Sequence, residues 1–343
     1  MNPLNKYGQA MASQNVRMML QESVPRLPLA IDSPTPSIGD FYTYCDHFAK
    51  CNTTRLIKFD HYHGYYPKVN LTKLGKNIHE SVMFALYSPV AHLHTQGLIL
   101  LSPLSSLVLN KIQEHALPQI NIYDPPNEPR FNNFIADIHY TAMQGNIRKQ
   151  EKNWVTRQKV ATSNFNLWLK SVFEQSRGFY IETYDIKEPD EMHPKSPKDS
   201  LLFEAHIKSI VKEHKYRPEV ISIISKWTIM PSSQLILKIF VLIECNDSDH
   251  LLSEPNEVSG KLHTTPENQG FVIIERVLLP EQLQPNFFHR NAPNFGNHMQ
   301  RLESYLLHTD YYLRIGDMKP TMGILYTRNN DKLPGMRKEY KND

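Results

Sequence analysis

The run Leu235–Ile243, LILKIFVLI, constrains this chain more than any other stretch: apart from one lysine it is continuously apolar and rich in β-branched residues. A strand apolar on both faces needs cover on both sides, so it predicts a central, buried strand in a layered domain. FYIETYDI (179–186) and FVIIERVLL (271–279) read as two further strands of the same half. Between them a helix is predicted over Ser200–His214 and another around Pro218–Trp227. Met299, Leu302, Leu306, Thr309 and Leu313 then form a late helical stripe.

The first half has its own rhythm. A helix is expected near Asp40–Lys50, a strand over Thr54–Asp60 and a helix from about Leu71 to Tyr87. AHLHTQGLILL reads as a second strand, and Ser102-Pro103 as a helix start, with serine to cap and proline in the first turn. Phe131, Phe134, Ile135 and Ile138 follow at helical spacing, as do Phe165, Trp168, Leu169, Val172 and Phe173. The expected fold is therefore α/β in the α+β sense: two sheet-containing modules covered by helices and joined by a basic helical segment. The boundaries are a flexible arm over 1–37, a first module over 38–145, the connector over 146–177, a second module over 178–328 and a charged tail over 329–343.

Composition removes several function classes. Glycine is scarce, 13 against 24 prolines in 343 residues, and neither GxGxxG nor GxxxxGK[ST] occurs, so nucleotide-dependent chemistry has no phosphate-cradling loop. The net charge of +3 requires any affinity for a polyanion to come from local patches. Cys45, Cys51 and Cys245 form neither a disulfide framework nor a zinc hairpin, which predicts free thiols. With no apolar run near the ~20 residues that span a bilayer, the expectation is a cytoplasmic protein with no membrane partner.

Several residues carry possible chemistry. His92-Leu-His94, if on a strand, points two imidazoles to one face, where they could hold a divalent metal, magnesium or manganese. His61-Tyr-His63 has the same spacing beside a turn. Tyr305, with His308 three residues on, is a candidate nucleophile, and Tyr140 is a second. NIRKQEKNWVTRQKV (146–160) sets Arg148, Lys149, Lys152, Arg157 and Lys159 against a single Glu151. That stretch could contact phosphates while Trp154 stacks on a base; the alternative is a solvated helical face. Lys212–Arg217, Arg314, Lys319 and Arg328 add charge later in the chain. Glu182, Asp185 and Glu244 read as polar residues at strand ends.

The order GFYIETYDI, SLLFEAHIKSIVKEHK, LILKIFVLIE and SYLLHTDYYLRIGDMKPTMG resembles the replication proteins of filamentous, inovirus-type phages and their YagK/YfjJ-like prophage relatives. The resemblance covers roughly residues 165–328. Tyr305, Leu306, Asp310, Arg314 and Gly323 fall where that family has a Y-L-x-K-x-D pattern and its following basic turn. Two departures stand out: after the strand ending at Glu244 comes His250 with no second histidine two residues away, and His308 replaces the lysine. The resemblance implies a DNA-binding, replication-initiator-like protein of a mobile element, with single-stranded or origin DNA as its partner. Any catalysis would be metal-assisted nicking of a single strand, with His92 and His94 holding the metal and Tyr305 attacking. The alternative is a non-catalytic nucleic-acid-binding or regulatory protein of the same ancestry.

Overall fold

The computed structural model describes residues 16, 36–51, 55–60, 68–187, 207–208, 211–230, 234–245, 261–264, 271–279, 283–284, 286–315 and 322–328. His61, His63, His250, Lys319, the tail from Asn329 and most of the arm and of the 200–214 helix lie outside them. The fold is α+β. Two units divide the chain: Met1–Thr156 with Tyr311–Leu313, and Arg157–Asp310 with Arg314–Asp343. The division falls inside the basic connector.

In the first unit the helices are α1 (Ile38–Lys50), α2 (Lys73–Tyr87), α3 (Pro89–Thr95), α4 (Pro103–Glu114) and α5 (Glu128–Met143). The opening turns of α6 (Gly145–Gln175) complete it. Its β-structure is short: β1 (Ile57–Asp60) pairs antiparallel with β2 (Lys68–Leu71), and β3 covers only Ile99–Leu101. Each helix start has its chemical cause. Ser37 and Asp40 form a reciprocal capping box on α1, Thr72 caps α2, and Ser88-Pro89 and Ser102-Pro103 open α3 and α4. Phe41 stacks on Phe84 at 4.2 Å and Phe48 meets Phe134 edge-on at 5.9 Å, so aromatic contacts tie α1 to α2 and α5. Cys45 is fully buried among them, and burial pushes its thiol well above the ordinary range.

The second unit is built on an antiparallel sheet. Its strands are β4 (Gly178–Lys187), β5 (Val220–Ile229), β6 (Leu235–Glu244), β7 (Lys261–Thr264), β8 (Phe271–Val277), β9 (Phe287–His289) and β11 (Met322–Thr327), β10 being Leu313–Ile315. The order is β11-β5-β6-β4-β8-β7, with β9 pairing the first residues of β4. The stretch predicted as a helix around Pro218–Trp227 is the strand β5: in ISIISKWTI the β-branched residues pack on two faces, and all ten residues of β5 are buried. On one face Phe179, Ile181, Ile224, Phe240, Leu242 and Ile324 pack with Phe165, Trp168 and Val172 of α6 and with Met299, Leu302 and Leu306. Trp168 Nε1 donates to Ser222 Oγ at 2.9 Å, which fixes the helix against β5. The opposite face is buried as well along β5 and β6, as a strand apolar on both sides requires.

Candidate nucleic-acid interface

α6 decides where the predicted basic segment points. Its buried positions within the second unit, Gln158, Phe165, Trp168 and Val172, recur with the helical period. Trp154 is in phase with that stripe, fourteen residues ahead of Trp168, and is only 7% exposed. It is therefore a packing residue, and the expectation that it stacks on a base is corrected. Arg148, Lys149, Lys152, Arg157 and Lys159 are all exposed. Among the described residues none of the five takes part in an ion pair. The acid beside them, Glu151, is turned into the first unit, where it accepts from Tyr42 Oη at 2.8 Å and from the Leu104 backbone N–H at 3.1 Å. Its carboxylate thus serves the start of α4 rather than an ion pair with the cations of α6.

His92 and His94 sit on α3, where a strand was expected. Ser88 accepts from the Val90 N–H and Pro89 stands in the first turn, so local chemistry starts a helix ahead of the apolar run. Residues two apart on a helix diverge. His92 Nε2 lies 2.9 Å from Gln96 Nε2 at the surface, while His94 Nδ1 meets the Ile99 carbonyl at 3.2 Å. Among the described residues no three His, Cys, Asp or Glu side chains converge as metal ligands. The two histidines do not fit one magnesium or manganese ion.

Tyr305 lies in a five-residue π-helical turn, Ser304–His308, between α7 (Phe295–Glu303) and α8 (Thr309–Tyr312). Its ring is half-buried, edge-on to Phe240 at 6.1 Å, with Lys226 Nζ 5.5 Å above it. Lys226 donates to the Tyr305 carbonyl, to the Leu306 carbonyl at 3.0 Å and to Thr309 Oγ1 at 2.7 Å. A π turn departs from the α-helical ladder, and this ammonium satisfies the groups on its inner side.

Lys226 belongs to a row of charges that the strand register sets in line. Lys226 of β5 is opposite Lys238 of β6, Lys238 is opposite Asp185 of β4, and Asp185 is opposite Glu275 of β8. Asp185 accepts from Lys238 Nζ through both oxygens, at 3.0 and 2.9 Å, and Glu275 pairs with Lys187 at 2.9 Å. Asp185 is thus an internal ion-pair partner, not a strand-terminating residue. On the other face Glu182 accepts from Arg276 at 2.9 Å and Tyr184 Oη at 3.0 Å, while at the sheet's end Glu244 pairs with Arg328 at 2.8 Å. Arg217 is held by Glu219 at 2.7 Å. Arg217, Arg276 and Arg328 are thus paired, unlike the five cations of α6.

Burial lowers the Lys226 ammonium to about 8, against the attraction of Asp310, and burial also lowers Arg314, opposed by the attraction of Asp310 and reinforced by the like charge of Arg157. Between about pH 8 and 10.5 the unfolded chain keeps a proton that folded Lys226 has shed, so this group's penalty is present in full below pH 8 and is relieved as pH rises through that window. Urea unfolding of the wild type should therefore gain stability relative to Lys226→Met on going from neutral to alkaline pH. A pH-independent difference would contradict the assignment.

No family model matches the chain, and neither a curated protein nor a solved structure does. No helix among the described residues is long and apolar enough to cross a membrane. Sequence reasoning missed Lys226 and Lys238; the signal was present in each case as one charge inside an otherwise apolar strand, ISIISKWTI and LILKIFVLI.

Proposed function

We propose that this protein binds nucleic acid, DNA in the first instance, through phosphate contacts along α6, and does not itself break a phosphodiester bond. One observation carries the reading: five exposed cations on a single helix, whose neighbouring carboxylate is hydrogen-bonded inward. Lys and Arg side chains so displayed displace the counterions of a polyanion, which supplies sequence-independent affinity. The resemblance of residues 165–328 to inovirus-type replication proteins supports a DNA partner and a replication or regulatory setting. Binding without cleavage is favoured by the diverging His92 and His94 and by Tyr305, whose ring is edge-on to Phe240 with Lys226 over its face.

The test uses the full chain and an end-labelled oligonucleotide at low salt, with magnesium or manganese added. The oligonucleotide should be bound and recovered intact, and His92→Ala should bind as the wild type does. Cleavage that disappears in Tyr305→Phe would overturn the non-catalytic part. Absence of any complex would overturn the whole reading.

A further inference from the structure

We infer that the first unit carries a stacking site for unpaired bases, centred on Tyr140, and that the protein prefers single-stranded to duplex nucleic acid. The inference rests on the reading proposed above and adds the form of the ligand.

α5 buries Phe131, Phe134, Ile135, Ile138 and Ala142 on one face. Tyr140 lies out of phase with that stripe and is 67% exposed, and Met143, one turn on along the same face, is 47% exposed. Packing explains neither. Arg148 Nη2 rests against Met143 Sδ, which draws its guanidinium to the edge of this apolar patch. Lys149 and Lys152 follow on the same opening turns of α6, exposed and without ion-pair partners among the described residues. An exposed aromatic ring, a soft thioether and a guanidinium plane therefore stand next to a short series of free cations. Single strands are held by this combination: bases stack on aromatic and guanidinium faces while the backbone follows the cations. A duplex has its base faces already stacked on one another, so against a duplex the ring would be idle and only the cations would act. The juxtaposition supplies the stacking element that Trp154, buried in α6, does not.

Fluorescence anisotropy of the full-length protein with a labelled oligothymidylate strand and with a labelled duplex of matched length tests this. Tyr140→Ala should weaken single-strand binding by about tenfold, the lower part of the range for one lost base stack. It should leave duplex binding and the salt dependence as in the wild type, and Tyr140→Phe should restore single-strand affinity to within about twofold, because the ring face is kept. Tyr140 is at the surface, so a thermal melt matching the wild type confirms the fold of each variant. If Tyr140→Ala binds the single strand as tightly as the wild type, or weakens strand and duplex alike, the stacking site is wrong. In that event Lys152→Ala still weakens both ligands if the phosphate-binding reading holds. If the wild type retains neither ligand at low salt, that reading falls together with this one.

Discussion

Replacing Arg148, Lys149, Lys152, Arg157 and Lys159 together by alanine should reduce oligonucleotide affinity by roughly a hundredfold to a thousandfold at low salt. The estimate follows from counterion release at about 0.7 per phosphate contact on a single strand, with most of the five engaged. The variant should fold normally, since all five side chains are exposed and none serves an ion pair among the described residues. Single replacements should each cost only a few-fold, because delocalised phosphate contacts share the load. By contrast, Glu151→Ala should not raise affinity much, since that carboxylate is already turned inward to Tyr42 and Leu104. Fluorescence anisotropy on the quintuple variant checks the first claim. Affinity within a few-fold of the wild type would show that α6 is a solvated face and nothing more.

Lys226→Ala should destabilise the second unit by about 3 kcal/mol, the scale seen when one member of a buried charged network is removed. Two backbone carbonyls, those of Tyr305 and Leu306, and the Thr309 hydroxyl lose their shared donor, and a cavity opens under the π turn. Relief of the buried charge offsets part of the loss, so the longer apolar chain of Lys226→Met should cost less than alanine. Hydrogen exchange localises the effect: amides of residues 304–313 should lose protection first, while α1 to α5 keep theirs. Unchanged exchange in that segment would mean that the ammonium does not hold the turn.

Much of the fold was legible because it depends on periodicity. The strands Gly178–Lys187 and Leu235–Glu244 and the helix Lys73–Tyr87 follow from apolar spacing, and the Ser102-Pro103 start from local capping chemistry. The error at Pro218–Trp227 has the same origin as the success at Leu235–Ile243. A run buried on both faces loses the alternation that marks a strand, and only its β-branched content separates it from a buried helix. His92-Leu-His94 failed differently. Two-residue spacing has meaning only once the backbone is known to be extended, and here Ser88-Pro89 starts a helix. The basic face of α6 could be read directly, but Trp154 had to be assigned by phase against Phe165 and Trp168 rather than by its neighbours in sequence. The charged row Lys226–Lys238–Asp185–Glu275 was out of reach, because cross-strand register is a long-range property that no single segment contains.

The dependence of binding on ionic strength decides whether α6 neutralises phosphates. For wild-type protein on an oligothymidylate strand, log K against log salt should be linear with a slope of about −2 to −4, as three to five neutralised phosphates require. In the quintuple alanine variant the line should flatten towards zero. A wild-type slope already near zero, or a steep slope that survives removal of the five charges, would show that α6 does not bind phosphates.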